Sequence, residues 1–198
     1  HVKRHSFPTR RSSDLGDAPI AFGGFSLDRT PVRRETALNR AMANQTETLD
    51  AARRSLAPEK YVYTSNLLVQ RQVFDSIGFD ESFTGWGWED VEWAMRAAKA
   101  WPILHIDNSA SHLGLDPAPM MAAKFEQSAA NFGRMVQGHR ALVETFPIYG
   151  AARLLKRLPL RGVWRPMIKA TALTEALPVR LRAFAMRLYR AALYAEAV

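Results

Sequence analysis

The sequence predicts a mixed α/β domain followed by a helical tail. Apolar runs rich in β-branched and aromatic residues, typical of buried strands, occur at 18–27, 61–69 and 103–106. Apolar residues recur at helical spacing between these runs and throughout the last fifty residues. We therefore expect a small mixed sheet with flanking helices over 16–148 and a tail of two or three helices over 149–198.

Composition limits the remaining possibilities. A chain of 198 residues with 47% hydrophobic content can bury the core of one domain. Cysteine is absent, which excludes disulfides and thiolate metal sites and fits a reducing compartment. Residues 151–198 carry ten basic and two acidic residues, whereas residues 16–150 carry 13 basic and 16 acidic ones. The positive charge is therefore concentrated in the tail.

The first fifteen residues differ from the rest. Residues 5–15 read His-Ser-Phe-Pro-Thr-Arg-Arg-Ser-Ser-Asp-Leu, which resembles the translation of a common sequencing-adapter oligonucleotide. We expect residues 1–15 to be an artefact joined to the reading frame and exclude them from fold reasoning. The rival interpretations are a basic targeting peptide or a nucleic-acid-binding arm.

From residue 16 onward, each element has its own sequence signal. Residues 18–27 predict a strand in which Gly23-Gly24 marks either a bulge or bend or a close approach of the backbone to a ligand. Residues 28–60 predict a surface excursion with helices near 35–43 and 46–55. The run at 61–69 predicts one buried strand. Further on, we expect a helical turn at 71–77 and a longer helix at 89–100. A short apolar strand at 103–106 and a second longer helix at 120–137 follow.

One stretch, residues 84–93, has the composition of a sugar site. It reads Thr-Gly-Trp-Gly-Trp-Glu-Asp-Val-Glu-Trp. Glycines allow a tight turn, indoles offer flat apolar faces to the C–H side of a sugar ring, and a carboxylate can take a hydroxyl proton. The alternative is structural: the tryptophans fill the core or its rim, and Glu89 and Asp90 only complement a helix N-terminus.

The flanking sequence resembles the C-terminal half of a GT-A glycosyltransferase catalytic domain. The resemblance is to the family 2 class and relatives with a galactosyltransferase-type C-terminal region, and it covers about residues 19–115. The matching residues are Ser65-Asn66-Leu67-Leu68 with Arg71 and Phe74, Gly78-Phe79-Asp80-Glu81, Gly85-Trp86-Gly87 with Glu89-Asp90, and His112. This likeness implies a partial GT-A-like mixed sheet and transfer of a sugar from a nucleotide-sugar donor to a glycan or other hydroxyl acceptor.

The resemblance also implies residue roles. It makes Asp90 the catalytic base, with Glu89 binding acceptor hydroxyls or orienting the loop, although the two roles could be exchanged. It assigns Trp86 and Gly87 to acceptor binding, where Trp88 replaces a glycine often found in relatives, and it places Asn66 near the site. His112 is the expected ligand of a divalent metal, Mn or Mg, whose preference for oxygen suits phosphate coordination.

The family's Asp-x-Asp motif, which holds the metal and the donor diphosphate, does not occur in this sequence. We therefore expect the chain to be the C-terminal part of a longer enzyme and to be inactive alone. The enzyme would be inverting if Asp90 is the base, and polysaccharide biosynthesis is the expected setting. The alternative function is a module that binds carbohydrate, or associates with a membrane surface, without catalysis.

The basic tail predicts an amphipathic helix from Val179. Apolar residues fall on one face and arginines on the other: Val179, Leu181, Phe184, Leu188 and Ala192 against Arg180, Arg182, Arg187 and Arg190. Such a helix either lies on an anionic membrane surface or packs on the missing half of the enzyme. We expect no nucleic-acid partner, because no base-stacking aromatics are interleaved with the arginines. The expected location is cytoplasmic, free or peripheral on the inner face of the membrane.

Overall fold

The computed structural model describes residues 17–198, so the expected artefact at 1–15 lies outside the described residues. The described chain is mixed α/β, as the sequence predicts. Its strands are β1 (Ile20–Phe22), β2 (Phe25–Ser26), β3 (Leu67–Val69), β4 (Ile103–His105) and β5 (Ala110–Ser111). Its α-helices are α1 (Ala37–Thr46), α2 (Ala51–Arg54), α3 (Arg71–Ser76), α4 (Glu89–Ala97), α5 (Ala118–Val143), α6 (Pro147–Lys156), α7 (Arg161–Leu173) and α8 (Val179–Tyr194).

The strands form two small sheets. In the first, the order is β3-β1-β4, with β1 antiparallel to β3 and parallel to β4. In the second, β2 and β5 pair in parallel. A bend at Gly23-Gly24 separates β1 from β2, which confirms the predicted interruption. Gly24 has φ +82°, and a Cβ there would lie 2.3 Å from an Arg54 guanidinium nitrogen, so both backbone and space require glycine.

Arg54 is buried beside this bend, with 1% of its surface exposed. Its guanidinium donates to the carbonyls of Gly23 at 3.3 Å, Ile106 at 2.8 Å and Leu49, and to His105 Nδ1 at 3.1 Å. Because an arginine nitrogen can only donate, His105 Nδ1 accepts, and Nε2 donates to the Pro58 carbonyl at 2.9 Å. Burial lowers the pKa of His105. The position of His105 inside the apolar run at 103–106 predicts a core histidine, and its two hydrogen bonds confirm that it is a satisfied one.

The prediction of one strand over 61–69 is wrong. The 3₁₀ turn Pro58–Tyr61 reaches the first residue of this segment, a second 3₁₀ turn occupies Thr64–Asn66, and only Leu67–Val69 pairs in the sheet. Val62 is buried in the core without pairing as a strand. The turn at Thr64–Asn66 lets the Asn66 amide donate to the carbonyls of Gly24 and Asn108. These side-chain hydrogen bonds compete with a continued strand ladder.

Helix α4 begins where the sequence predicts but ends at Ala97, three residues earlier than expected. Its inner face packs on the sheet through Trp93, which is fully buried and donates from its indole nitrogen to the Ile77 carbonyl at 2.8 Å. The surrounding core includes Ile20, Val62, Val73, Ala94 and Ala97. This packing fixes the direction of α4 and hence the position of Glu89 and Asp90 at its start.

The tail packs tightly on the rest of the chain. Helix α8 contacts α1, α5, α6 and α7, and α6 crosses the expected boundary at 148/149. The predicted division of α8 into an apolar face and an arginine face does not coincide with its buried and exposed sides. Arg182 is 6% exposed and donates to the Ala172 carbonyl, whereas Leu181 and Phe184 are 45% and 61% exposed. Small residues on the buried side, Ala183, Ala185 and Ala192, permit close helix contact instead. Within residues 17–198, no helix combines the length and apolarity needed to cross a membrane.

Candidate functional site

The loop before α4 is held in a strained shape by α5. Gly85, Gly87 and Trp88 have φ values of +77°, +91° and +79°. The amide of Asn131, on α5, donates to the carbonyl oxygens of Thr84 at 3.1 Å and Gly87 at 2.9 Å. Left-handed backbone suits glycine, which explains the spacing of Gly85 and Gly87 around Trp86. The loop is therefore anchored at both ends, and Trp86 is displayed between them.

The two loop tryptophans have different environments. Trp86 is 38% exposed, with Phe125 and the Lys124 ammonium 6.0 and 5.7 Å from its ring. An exposed indole beside a cation suits the acceptor contact predicted for Trp86. Trp88 instead packs on Phe132 and Phe146, at centroid distances of 5.3 and 6.0 Å.

Trp88 has a left-handed backbone, with φ +79°, which costs about 1–2 kcal/mol for a residue with a side chain. Contacts from the tail offset this cost. Its indole nitrogen donates to the Tyr194 hydroxyl at 2.9 Å, and the same hydroxyl lies 2.6 Å from Ser128 Oγ. The acceptor role of Trp88 stays a prediction, and its observed contacts tie the loop to α8.

Glu89 and Asp90 open α4 directly behind this loop, and both are half-buried. Burial, with the adjacent charge of Glu89, raises the pKa of Asp90 from 3.8 to about 6, while interaction with the backbone N–H and hydroxyl of Thr64 acts in the opposite direction. The Glu89 Oε2 atom is buried without a hydrogen-bond partner. An unsatisfied carboxylate oxygen beside an acid with a raised pKa is typical of a site that awaits a ligand.

Three further groups converge on this pair, and the sequence pattern does not single them out. Burial raises the pKa of the Tyr63 hydroxyl. The negative charges of Glu47 and Asp90 raise this pKa further, and the positive charge of Arg190 lowers it. The charges of these three residues therefore act on Tyr63. The sequence assigns Tyr63 to a strand, Glu47 to a surface helix and Arg190 to the arginine face of the tail helix. No local pattern marks them, because they meet only when α1 and α8 pack together.

Arg190 is the only one of these groups that brings positive charge. Its guanidinium carbon lies 4.7 Å from the Phe125 ring centroid and 5.1 Å from that of Trp88, and its Nε donates to the Tyr194 hydroxyl at 3.0 Å. It forms no ion pair with a carboxylate of the described residues. The cation is thus positioned by aromatic rings while its terminal nitrogens keep their capacity for an anionic ligand.

His112 follows β5 and pairs with Glu47, with Nδ1 3.0 Å from Oε2. Its ring also contacts Phe25, which in turn contacts Tyr63, so His112 belongs to the same neighbourhood as Asp90. Over residues 17–198, no group of three or more acidic, histidine or cysteine side chains is arranged to hold a metal. His112 and Glu47 offer one nitrogen and one oxygen ligand, which is not a complete metal site. The divalent-metal role of His112 stays a prediction.

Asn66 lies at the far side of this neighbourhood. Its amide donates to the carbonyl oxygens of Gly24 at 2.7 Å and Asn108 at 3.0 Å. These hydrogen bonds hold the bend between β1 and β2 against the loop before β5. Its acceptor contact stays a prediction, while its observed role is to position the loop that leads to His112.

Comparison of the chain with models of known protein families, with curated proteins and with solved structures found no match. The functional inference below therefore depends on the residues and their geometry.

Proposed function

We propose that this chain carries the acceptor-binding and base-carrying part of a sugar-nucleotide-dependent glycosyltransferase of the GT-A, family 2 class. The observation that supports it most is the Glu89–Asp90 pair, half-buried behind an anchored tryptophan loop, with a free carboxylate oxygen and a raised pKa. A base is most effective when its pKa lies near the working pH. With a pKa of about 6, Asp90 is mostly ionised at pH 7 and ready to accept a proton.

The proposed reaction is a single displacement. Asp90 takes the proton of the acceptor hydroxyl as that oxygen bonds to the anomeric carbon of the donor sugar. The bond from the anomeric carbon to the phosphate oxygen breaks, and the nucleoside diphosphate leaves with the electron pair. Attack from the face opposite the leaving group inverts the anomeric configuration.

The other site residues have supporting roles in this proposal. Trp86 stacks on the acceptor ring, and Glu89 binds an acceptor hydroxyl or orients the loop. Arg190 faces the charge of the departing diphosphate, where a fixed cation stabilises the negative charge that develops. A Mn or Mg ion bound near His112 would supply further charge neutralisation, and no step above depends on it.

The test uses the whole reading frame that contains residues 17–198, read from a clean amplicon across the first sixteen codons. Release of nucleoside diphosphate from a panel of nucleotide sugars is measured for wild type, Asp90→Asn and Asp75→Asn. We expect Asp90→Asn to lower turnover by about 10²–10⁴-fold with nearly unchanged donor affinity. Asp75, an exposed acid on α3, is the matched control and should leave turnover unchanged. Full turnover in Asp90→Asn would remove Asp90 from the base role.

The second candidate is carbohydrate binding without transfer, which the exposed indole of Trp86 favours. Glycan binding followed by ligand-observed NMR separates the two functions. A binding module would lose glycan contact in Trp86→Ala and keep it in Asp90→Asn, with no diphosphate release from either protein. A transferase would show diphosphate release that both substitutions reduce.

A further inference from the structure

Helix α7 carries an apolar stripe on its solvent-facing side. Val163 and Met167 are 58% and 64% exposed, and Pro166 and Ala170 are exposed beside them. These four positions have the spacing i, i+3, i+4 and i+7, which places them on one helix face. The opposite face, with Trp164, Ile168 and Ala172, packs against the core. An outward helix face on a globular protein is normally polar, so this stripe needs a partner.

The apolar exposure extends beyond α7. Leu160, immediately before the helix, is 74% exposed, and Leu181 and Phe184 on α8 are 45% and 61% exposed. Of the sixteen large apolar side chains exposed over residues 17–198, eight lie in the tail: Leu154, Leu158, Leu160, Val163, Met167, Val179, Leu181 and Phe184. The tail makes up about a quarter of the described residues, so its exposed apolar surface is well above its share.

Cations accompany this surface. Arg153, Arg157 and Arg180 are exposed and form no ion pair with a carboxylate of residues 17–198. Arg161 donates to the Lys156 carbonyl and likewise has no carboxylate partner in that range. Each of these arginines is next in sequence to an exposed apolar residue, namely Leu154, Leu158, Leu160, or Val179 and Leu181. The tail therefore offers both charge attraction and apolar insertion.

We propose that this surface binds the headgroup region of an anionic lipid bilayer, with the α7 stripe inserted among the acyl chains. The charge pattern favours this occupant over two others. A second copy of the chain would bring the same positive surface and be repelled, and a nucleic acid would use the arginines but leave the apolar stripe in water. An interfacial helix needs an apolar side and flanking Lys or Arg, and the tail supplies both.

Vesicle flotation tests the proposal with the full chain. One vesicle set is phosphatidylcholine, and the other contains about one third phosphatidylglycerol, an anionic lipid. We expect wild type to bind the anionic vesicles and not the neutral ones. The double substitution Val163→Gln with Met167→Gln should weaken binding at least about tenfold, because it removes the inserted side chains. The triple substitution Arg153→Gln, Arg157→Gln and Arg180→Gln should reduce it similarly.

The matched control is Val32→Gln with Leu56→Gln, two side chains 82% and 86% exposed outside the tail, which should leave vesicle binding unchanged. Circular dichroism and thermal melting confirm that each variant folds, as expected for exposed positions. Equal binding to neutral vesicles, no binding, or unchanged binding of the α7 double variant would overturn the proposal. The proposal would also be overturned if the chain bound duplex DNA as tightly as it binds anionic vesicles and the α7 double variant kept that DNA binding.

Discussion

Helix α4 carries buried acidic groups within one turn, and the fold treats them differently. The Glu92 side chain is 7% exposed, and both of its oxygens have partners: Arg96 donates to them at 2.7 and 2.8 Å, and His139 lies 3.1 Å from Oε1. Glu89 and Asp90, three and two residues earlier, are half-buried and have no ion pair in the described chain. Glu89 Oε2 lacks a hydrogen-bond partner, and Asp90 interacts with the uncharged N–H and hydroxyl of Thr64. Burial alone therefore does not mark a candidate functional carboxylate, and the absence of a compensating cation is what distinguishes this pair from Glu92.

The largest effect that we expect is a loss of stability on substitution of Glu92, whose two carboxylate oxygens both have partners. Glu92→Gln removes the charge that pairs with Arg96 and His139, and we expect it to lower the free energy of unfolding by about 2–4 kcal/mol. Urea unfolding at about pH 7.5 measures this change. Glu81→Gln is the control, because Glu81 is exposed and forms no ion pair over residues 17–198. A loss below about 1 kcal/mol would mean that the cluster around Glu92 does not stabilise the fold.

Substitution of Asp90 should change stability in the opposite direction and make the chain more stable at high pH. The pKa of Asp90 is raised to about 6, so the folded chain binds its proton more tightly than the unfolded chain does. Its stabilising contribution is therefore present below about pH 4 and is lost as the pH rises through 6. At pH 8 the wild type carries an unfavourable buried charge that Asp90→Asn removes. After allowance for partial exposure, we expect the variant to be more stable by about 1–2 kcal/mol.

Thermal unfolding of wild type and Asp90→Asn between pH 4 and pH 8 measures this difference. The gain in the variant should shrink as the pH falls and be absent near pH 4. Asp75→Asn, at an exposed acid, should show no such trend. A variant that is less stable than wild type at pH 8 would place Asp90 with Glu92 among the structural carboxylates.

The same contrast explains how much the sequence can predict. The start of α4, the bend at Gly23-Gly24 and the core role of His105 depend on local chemistry, and the sequence predicts them correctly. The prediction of a strand over 61–69 fails because Asn66 finds acceptors on Gly24 and Asn108, which are distant in sequence. The burial of Arg182 on α8 could not be predicted for a similar reason, since this side chain donates to a buried carbonyl on α7.

The site shows the same division. Asp90, Glu89 and Trp86 share one stretch of sequence, so a local pattern is enough to single them out as candidate site residues. Glu47, Tyr63 and Arg190 come from separate parts of the chain, and the charges of Glu47 and Arg190 both act on Tyr63 in the folded chain, in which α1 packs on α8. Helical periodicity places Arg190 on the arginine face of α8, and it cannot show that the guanidinium lies against the rings of Phe125 and Trp88.

The smallest expected effect tests whether Glu89 and Asp90 act as a pair. Burial is the larger cause of the raised Asp90 pKa, and the charge of Glu89 is the second. Glu89→Gln should therefore lower the pKa of Asp90 but leave it above 3.8, because burial remains. Carboxyl ¹³C NMR titration measures this shift, with Asp80→Asn, at an exposed acid, as the control. An unchanged pKa would mean that the two carboxylates are electrically independent, and a return to 3.8 would mean that charge and not burial distinguishes Asp90 from Glu92.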